Sequence, residues 1–170
     1  MPKQTLHLMA IDIEKIQGEF IERLPLRARW LLADIPWDWD FSRARDLLRP
    51  LATHEFVGWV VPVEWRQLYV FGEQDFAKGG GASPLVGIHI ETGRVYNIDI
   101  ERDDKKSVYL LNSSASQFVE VFFLFDQVLG QRLVSPVGLT DRVRKADQEA
   151  FNRSEWRETC HEIERPLNSG

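Results

Sequence analysis

The hydrophobic period of the chain changes twice, and the change dictates the order in which its layers can be built. Up to about residue 51 apolar residues recur at helical spacing, from His54 to about residue 111 they alternate, and beyond residue 114 helical spacing returns. A helix gathers its apolar side chains on one stripe, whereas a strand sends successive side chains to opposite faces. The middle is therefore expected to be sheet and both flanks helical.

In the first flank, Asp12 can cap a helix whose stripe is Ile13, Ile16, Phe20 and Leu24. Pro25 suits the first turn of a second, short helix predicted over 26–32, which Pro36 terminates. The run Ile35-Pro36-Trp37-Asp38-Trp39-Asp40 has no helical period, while Ala44, Leu47, Leu48 and Leu51 form a further short stripe with Ser42 as its cap. Strands are predicted over 55–61, 67–72, 85–90, 94–100 and 108–111. Glu91-Thr92-Gly93 joins two of them as a hairpin loop. Such closely spaced strands pair antiparallel, because a parallel crossover needs about a dozen residues.

Asn112-Ser113-Ser114 then offers side-chain oxygens to the free N–H groups of a helix start. The helix carries Phe118, Val121, Phe122, Phe125, Val128 and Leu129 on one stripe, to be laid against the sheet, and ends at Gly130 or in the loop Pro136-Val137-Gly138. Thr140 can cap a helix carrying Val143, Ala146 and Ala150, and the stripe restarts out of phase as Trp156, Cys160 and Ile163. Asn152 with Glu155 resembles a capping box, which predicts a break between two C-terminal helices. The fold class is α+β: a single domain over 1–170, helical over 12–51, with a mainly antiparallel central sheet of about five or six strands over 55–112, and helical again over 114–165.

A chain of 170 residues with 10 Phe and 6 Trp can bury a core without disulfides or metals. Its one cysteine, Cys160, excludes an intramolecular disulfide. The 21 basic against 26 acidic residues give a formal charge of −5, which disfavours direct nucleic-acid binding and favours a basic partner. The first residues lack a signal-peptide pattern, and no run approaches the ~18 apolar residues of a membrane span, so a cytoplasmic location with no membrane partner is expected.

Motifs that would carry chemistry are weak. His7, His54, His89 and His161 belong to no His-Glu-x-x-His or Cys/His ligand pattern. His89, between Ile88 and Ile90, reads as a polar-face strand residue. Ser113 and Ser114 lack the Gly-x-Ser-x-Gly surroundings of a nucleophile and read as helix caps. In Lys78-Gly79-Gly80-Gly81-Ala82-Ser83-Pro84 the lysine precedes the glycines, which run into a strand, the reverse of a phosphate loop. No catalytic, cofactor-binding or metal-ligating residue is assigned. Trp37-Asp38-Trp39-Asp40 combines large rings with carboxylates, suited to meeting a basic surface; its plainer reading is that the tryptophans anchor the helices to the sheet. Glu73, Asp75, Asp103 and Asp104 fall in predicted loops, where most charges are only solvated.

The block Leu68-Tyr69-Val70-Phe71-Gly72-Glu73, then Ser83-Pro84-Leu85-Val86-Gly87-Ile88, then Thr92-Gly93-Arg94-Val95-Tyr96, then Leu111-Asn112-Ser113-Ser114 and Phe118 resembles the fourth subfamily of SUKH immunity proteins. The order and spacing of these motifs carry the resemblance, over about residues 65 to 130. It implies a sheet backed by helices and a protein that binds and neutralises a cognate bacterial toxin, with no catalytic residues to transfer. Members of the wider superfamily face toxins of several chemistries, nucleic-acid-targeting ones included. The Trp-rich segment 36–40 and the extension after about Leu133 depart from the pattern. For a neutralising contact the candidate partner-binding residues are Asp34, Trp37, Asp38, Asp40, Glu73 and Asp75. The rival readings are an interaction or regulatory protein on the same scaffold, and an enzyme using His54, His89 or His161.

Overall fold

The computed structural model describes residues 12–42, 48–51, 61–76, 84–99 and 108–168, with residues 165–168 described through their backbone alone. Helix α1 spans Ile13–Glu19, and the Asp12 carboxylate accepts from the N–H groups of Glu14 and Lys15, as the capping pattern predicts. The helix stops at Phe20, and a 3-10 turn, Ile21–Arg23, delivers Leu24 into the core.

The helix predicted over 26–32 is instead strand β1, Arg27–Leu32, and Ile35–Asp40 is strand β2. Six residues are too few to separate the two periods, and tertiary pairing decides between them. Trp30 and Leu32 point inward while Arg27 and Arg29 stay outside, and all six residues pair antiparallel with β2. The two-residue connection Ala33-Asp34 has φ of 47° and 64°, the left-handed geometry of a tight hairpin turn. The helical stripe predicted through Leu51 does not hold over 48–51, where Arg49–Pro50 forms the short strand β3, with Leu48 and Leu51 buried on either side of it. Residues 43–47, which include Ala44 and Leu47, and most of the strand predicted over 55–61 lie outside the described residues.

Strands β4 (Leu68–Phe76), β5 (Leu85–His89), β6 (Val95–Ile98) and β7 (Val108–Asn112) match the predicted sheet, β4 running four residues further than expected. Among the described residues the strand order is β1-β2-β4-β5-β6-β7, with β3 on β4 as a seventh strand, and every pairing is antiparallel. The β5–β6 hairpin closes as predicted: Gly93, at φ 74°, donates its N–H to the His89 carbonyl at 2.7 Å.

Helix α2, Ala115–Phe125, starts at Ser114, whose hydroxyl accepts from the Gln117 N–H. It presents Phe118, Val121, Phe122 and Phe125 to the sheet and continues as a π-helical turn, Asp126–Gly130. A side chain at Gly130 would meet Asp126 Oδ1 at 2.5 Å and Trp30 Cδ1 at 3.2 Å, so its bareness lets β1 approach the helix. The C-terminal region holds three helices rather than two: α3 (Leu139–Ala146), α4 (Gln148–Arg153) and α5 (Trp156–Asn168). Gly138, not Thr140, precedes α3, and Asp147 introduces an extra break by capping α4; the break expected near Asn152 falls at Ser154.

Between sheet and helices, Trp30, Trp37, Trp39 and Trp156 pack with Phe41, Phe71, Phe118, Phe122 and Phe125. Trp30 lies 4.9 Å from Phe122 and Phe125 lies 4.9 Å from Trp156, distances at which each ring pair adds about 0.5–1.5 kcal/mol beyond its area. Three of the four indoles are tied by hydrogen bonds: Trp30 Nε1 to Asp126 (2.9 Å), Trp37 Nε1 to Gln74 (3.0 Å) and Trp156 Nε1 to Asn112 (3.0 Å). A smaller cluster of Leu51, Leu68, Leu85 and Ile98 lies apart from this core.

Candidate functional site

The outer surface of the β1-β2-β4 corner is built by strand alternation and one irregularity. On β2 the two tryptophans point into the core, so Asp38 and Asp40 must point out. Along β4, Leu68 and Val70 face the smaller cluster. Val70 pairs with Gly87 and Gly72 with the next partner, Val86, which leaves Phe71 as an extra residue. This bulge inverts the parity of everything after it. Glu73 and Asp75 consequently emerge on the outer surface, and Gln74 turns inward. Both acids therefore stand on a strand, not in the loop expected for them; the bulge hides the alternation that would have revealed it.

The register then aligns the charges in two rows. Asp38 pairs with Asp75 on one side and Arg29 on the other; Asp40 pairs with Glu73 and Arg27. Arg29 grips Asp38 with two hydrogen bonds, Nε to Oδ1 at 2.7 Å and Nη2 to Oδ2 at 3.0 Å. That grip, and secondarily its charge, holds the Asp38 carboxyl below its ordinary range against the opposing effect of partial burial. Arg27 Nε stands 3.6 Å from Asp40 Oδ2, and Asp40 also accepts from the Ser42 N–H and hydroxyl. These residues line a shallow concavity of about 490 Å³. With four carboxylates against two guanidinium groups, and a rigid sheet beneath, the surface is suited to cationic side chains that can exchange partners with Arg27 and Arg29.

Four of the six candidate residues, Asp38, Asp40, Glu73 and Asp75, are thus brought together. The other two are not. Asp34 sits exposed in the β1–β2 turn. Trp37 is 8% exposed and packs against Trp30 and Trp39, because its strand parity is that of the core; its plainer reading, an anchor, is the correct one. A helical reading of 26–32 scatters Arg27 and Arg29; the signal that groups them is their alternation with Ala28 and Trp30. Asp103, Asp104 and the glycine loop 78–83 lie outside the described residues.

Ser113, Ser114 and His89 hold local structure. Ser113 donates to Asp147, and Ser114 caps α2. His89 accepts from the Glu91 N–H at Nδ1, and burial lowers its pKa while Glu91 opposes the shift. His161 is exposed on α5, and His7 and His54 lie outside the described residues. Among the described residues no group of His, Cys, Asp and Glu could hold a metal ion, and no helix is long and apolar enough to cross a membrane. No protein-family model, curated protein or solved structure matches the chain.

Proposed function

We propose that this chain is an immunity protein of the SUKH type that acts in the cytoplasm, binding a cognate protein toxin and neutralising it by stoichiometric contact. The observation that carries the reading is the convergence of Asp38, Asp40, Glu73 and Asp75 on one face of a rigid sheet, arranged in two cross-strand rows with Arg27 and Arg29. A surface organised in this way reads a partner by charge and register. The motif order over residues 65 to 130 supports the choice of family, and the net charge of −5 supports a basic partner.

Stable neutralisation requires a total interface on the order of 1,600 Å², of which this face forms the charged part. The test is co-expression with the product of the neighbouring gene, read as growth rescue and as co-purification. The wild-type chain should rescue growth, and a variant with Asp40→Lys and Asp75→Lys, folded by circular dichroism, should lose both the complex and the rescue. Absence of a complex with the wild-type chain would sink the immunity reading. Unimpaired rescue by the double variant would remove this face from the interface.

A further inference from the structure

Strand β1 stands at one end of the sheet, and its outer edge has no neighbouring strand among the described residues. The register decides which backbone groups face that edge. Phe41 donates its N–H to the Leu26 carbonyl at 2.8 Å, so residues 26 and 41 form a hydrogen-bonded pair, and in an antiparallel ladder such pairs recur at every second residue. Ala28, Trp30 and Leu32 therefore bond to β2. Arg27, Arg29 and Leu31 turn their N–H and C=O groups the other way, where they have no partner among the described residues.

An open edge is commonly guarded by charged side chains that project past it. Arg27 and Arg29 are of the right type but are drawn the wrong way: Asp40 and Asp38 hold them back over β2, Arg29 by two hydrogen bonds, while their side chains stay 78% and 67% exposed. The ion pairs that organise the outer face thus leave the backbone edge clear. A row of unpaired N–H and C=O groups is a template for an added strand, and the side chains beside it select which strand fits.

Running antiparallel, as every described pair in this sheet does, an added strand would set three alternate side chains on the outer face, opposite Leu31, Arg29 and Arg27 in turn. Opposite charges attract in such cross-strand positions and like charges repel, so carboxylates are favoured against both arginines and cations are not. The half-buried Leu31 favours an apolar residue. The intervening side chains would point to the inner face, where Asp126 bonds Trp30 and Gly130 lies close to it, so they must be small. The same turn disfavours a second copy of the chain: paired β1 strands would lie ~4.8 Å apart, whereas the helical turns over them need ~8–10 Å.

We propose that the β1 edge takes an extended segment of a partner protein, of pattern apolar-x-acidic-x-acidic with small residues between, as a further antiparallel strand. Its carboxylates would share Arg29 and Arg27 with Asp38 and Asp40, leaving those acids open to cations of the same partner. The proposal deepens the neutralising contact by naming a segment the partner presents, and it rests on that reading only for the partner's identity.

The test needs no toxin. In the ¹⁵N-labelled full chain the amides of Arg27, Arg29 and Leu31 should exchange with solvent faster than those of Ala28, Trp30 and Leu32. Acetyl-Val-Thr-Glu-Thr-Glu-amide, added to about 10 mM to saturate a contact with Kd of about 1 mM, should shift the first three amides and slow their exchange. Lysine in place of both glutamates should weaken binding about tenfold, and in a folded variant with Arg27→Gln and Arg29→Gln the two peptides should bind alike. Slow exchange of all six amides in the free chain, no response at residues 27, 29 and 31, or equal binding of both peptides by the wild-type chain would each overturn the proposal. So would shifts of these amides that follow protein concentration without peptide, the mark of a second copy. Loss of growth rescue alone bears on the immunity reading and not on this edge.

Discussion

Ser113 and Asp147, 34 positions apart, are joined twice: the Ser113 backbone N–H and hydroxyl each donate to the Asp147 carboxylate at 2.7 Å. The same buried carboxylate accepts from Asn112 Nδ2 and from the Ala150 N–H, and so ties the end of the sheet to the cap of α4. Asp147→Ala should lower stability by about 3 kcal/mol, because it leaves several buried donors without an acceptor. Asp147→Asn should fall in between. Urea denaturation measures both; a loss below ~1 kcal/mol for the alanine variant would mean that solvent replaces the carboxylate.

Trp30 and Trp39 are both buried, yet only one has a use for its N–H. Trp30 Nε1 donates to Asp126, whereas Trp39 Nε1 is enclosed with no acceptor among the described residues. Both indole→benzene changes lose packing, but Trp30→Phe also strips the buried Asp126 of a donor. It should be the more destabilising of the two by about 1–2 kcal/mol in matched denaturation curves, and equal losses would show that the Asp126 bond contributes nothing.

At the bulge, a methyl group on residue 72 would stand 2.6 Å and 2.7 Å from two carbons of the Phe41 ring. Gly72→Ala should therefore destabilise by about 1–3 kcal/mol through overpacking. Adding Phe41→Leu should recover part of that loss, since the two changes share one space. Purely additive losses in the double variant would place the strain elsewhere.

The depressed pKa of Asp38 has a definite pH signature. Its ordinary value is 3.8, and the folded value lies lower because Arg29 bonds the ionised form. The stabilisation linked to the pair is present above the unfolded value and is lost as pH falls through the folded one. In Arg29→Gln the Asp38 midpoint, followed by carboxyl NMR, should rise toward 3.8. A midpoint unchanged from wild type would remove Arg29 as the cause.

Much of the frame could be read from residue order. The strands β4 to β7, the Gly93 turn and the stripe from Phe118 to Phe125 each satisfy a local rule that the tertiary structure also obeys. The β1–β2 hairpin escaped because Ala33-Asp34 adopts left-handed geometry without the Asn-Gly or Gly residues that usually announce it. Half of the outer face was visible in Trp37-Asp38-Trp39-Asp40. Glu73 and Asp75 lie beyond a bulge that pattern alone does not reveal.

The parity change at Phe71 also separates what this chain can alter from what it must keep. Inner positions of β2 and β4 are committed to indole packing and a directed amide relay, whereas Asp38, Asp40, Glu73 and Asp75 stand beside them on the same strands with their side chains on the outer face. Neighbouring codons are therefore under unlike constraints. The proposed contact surface can drift, residue by residue, across a scaffold that stays the same, provided that no insertion or deletion within β4 resets the alternation; a single lost residue there would turn the acids into the core and the core to water.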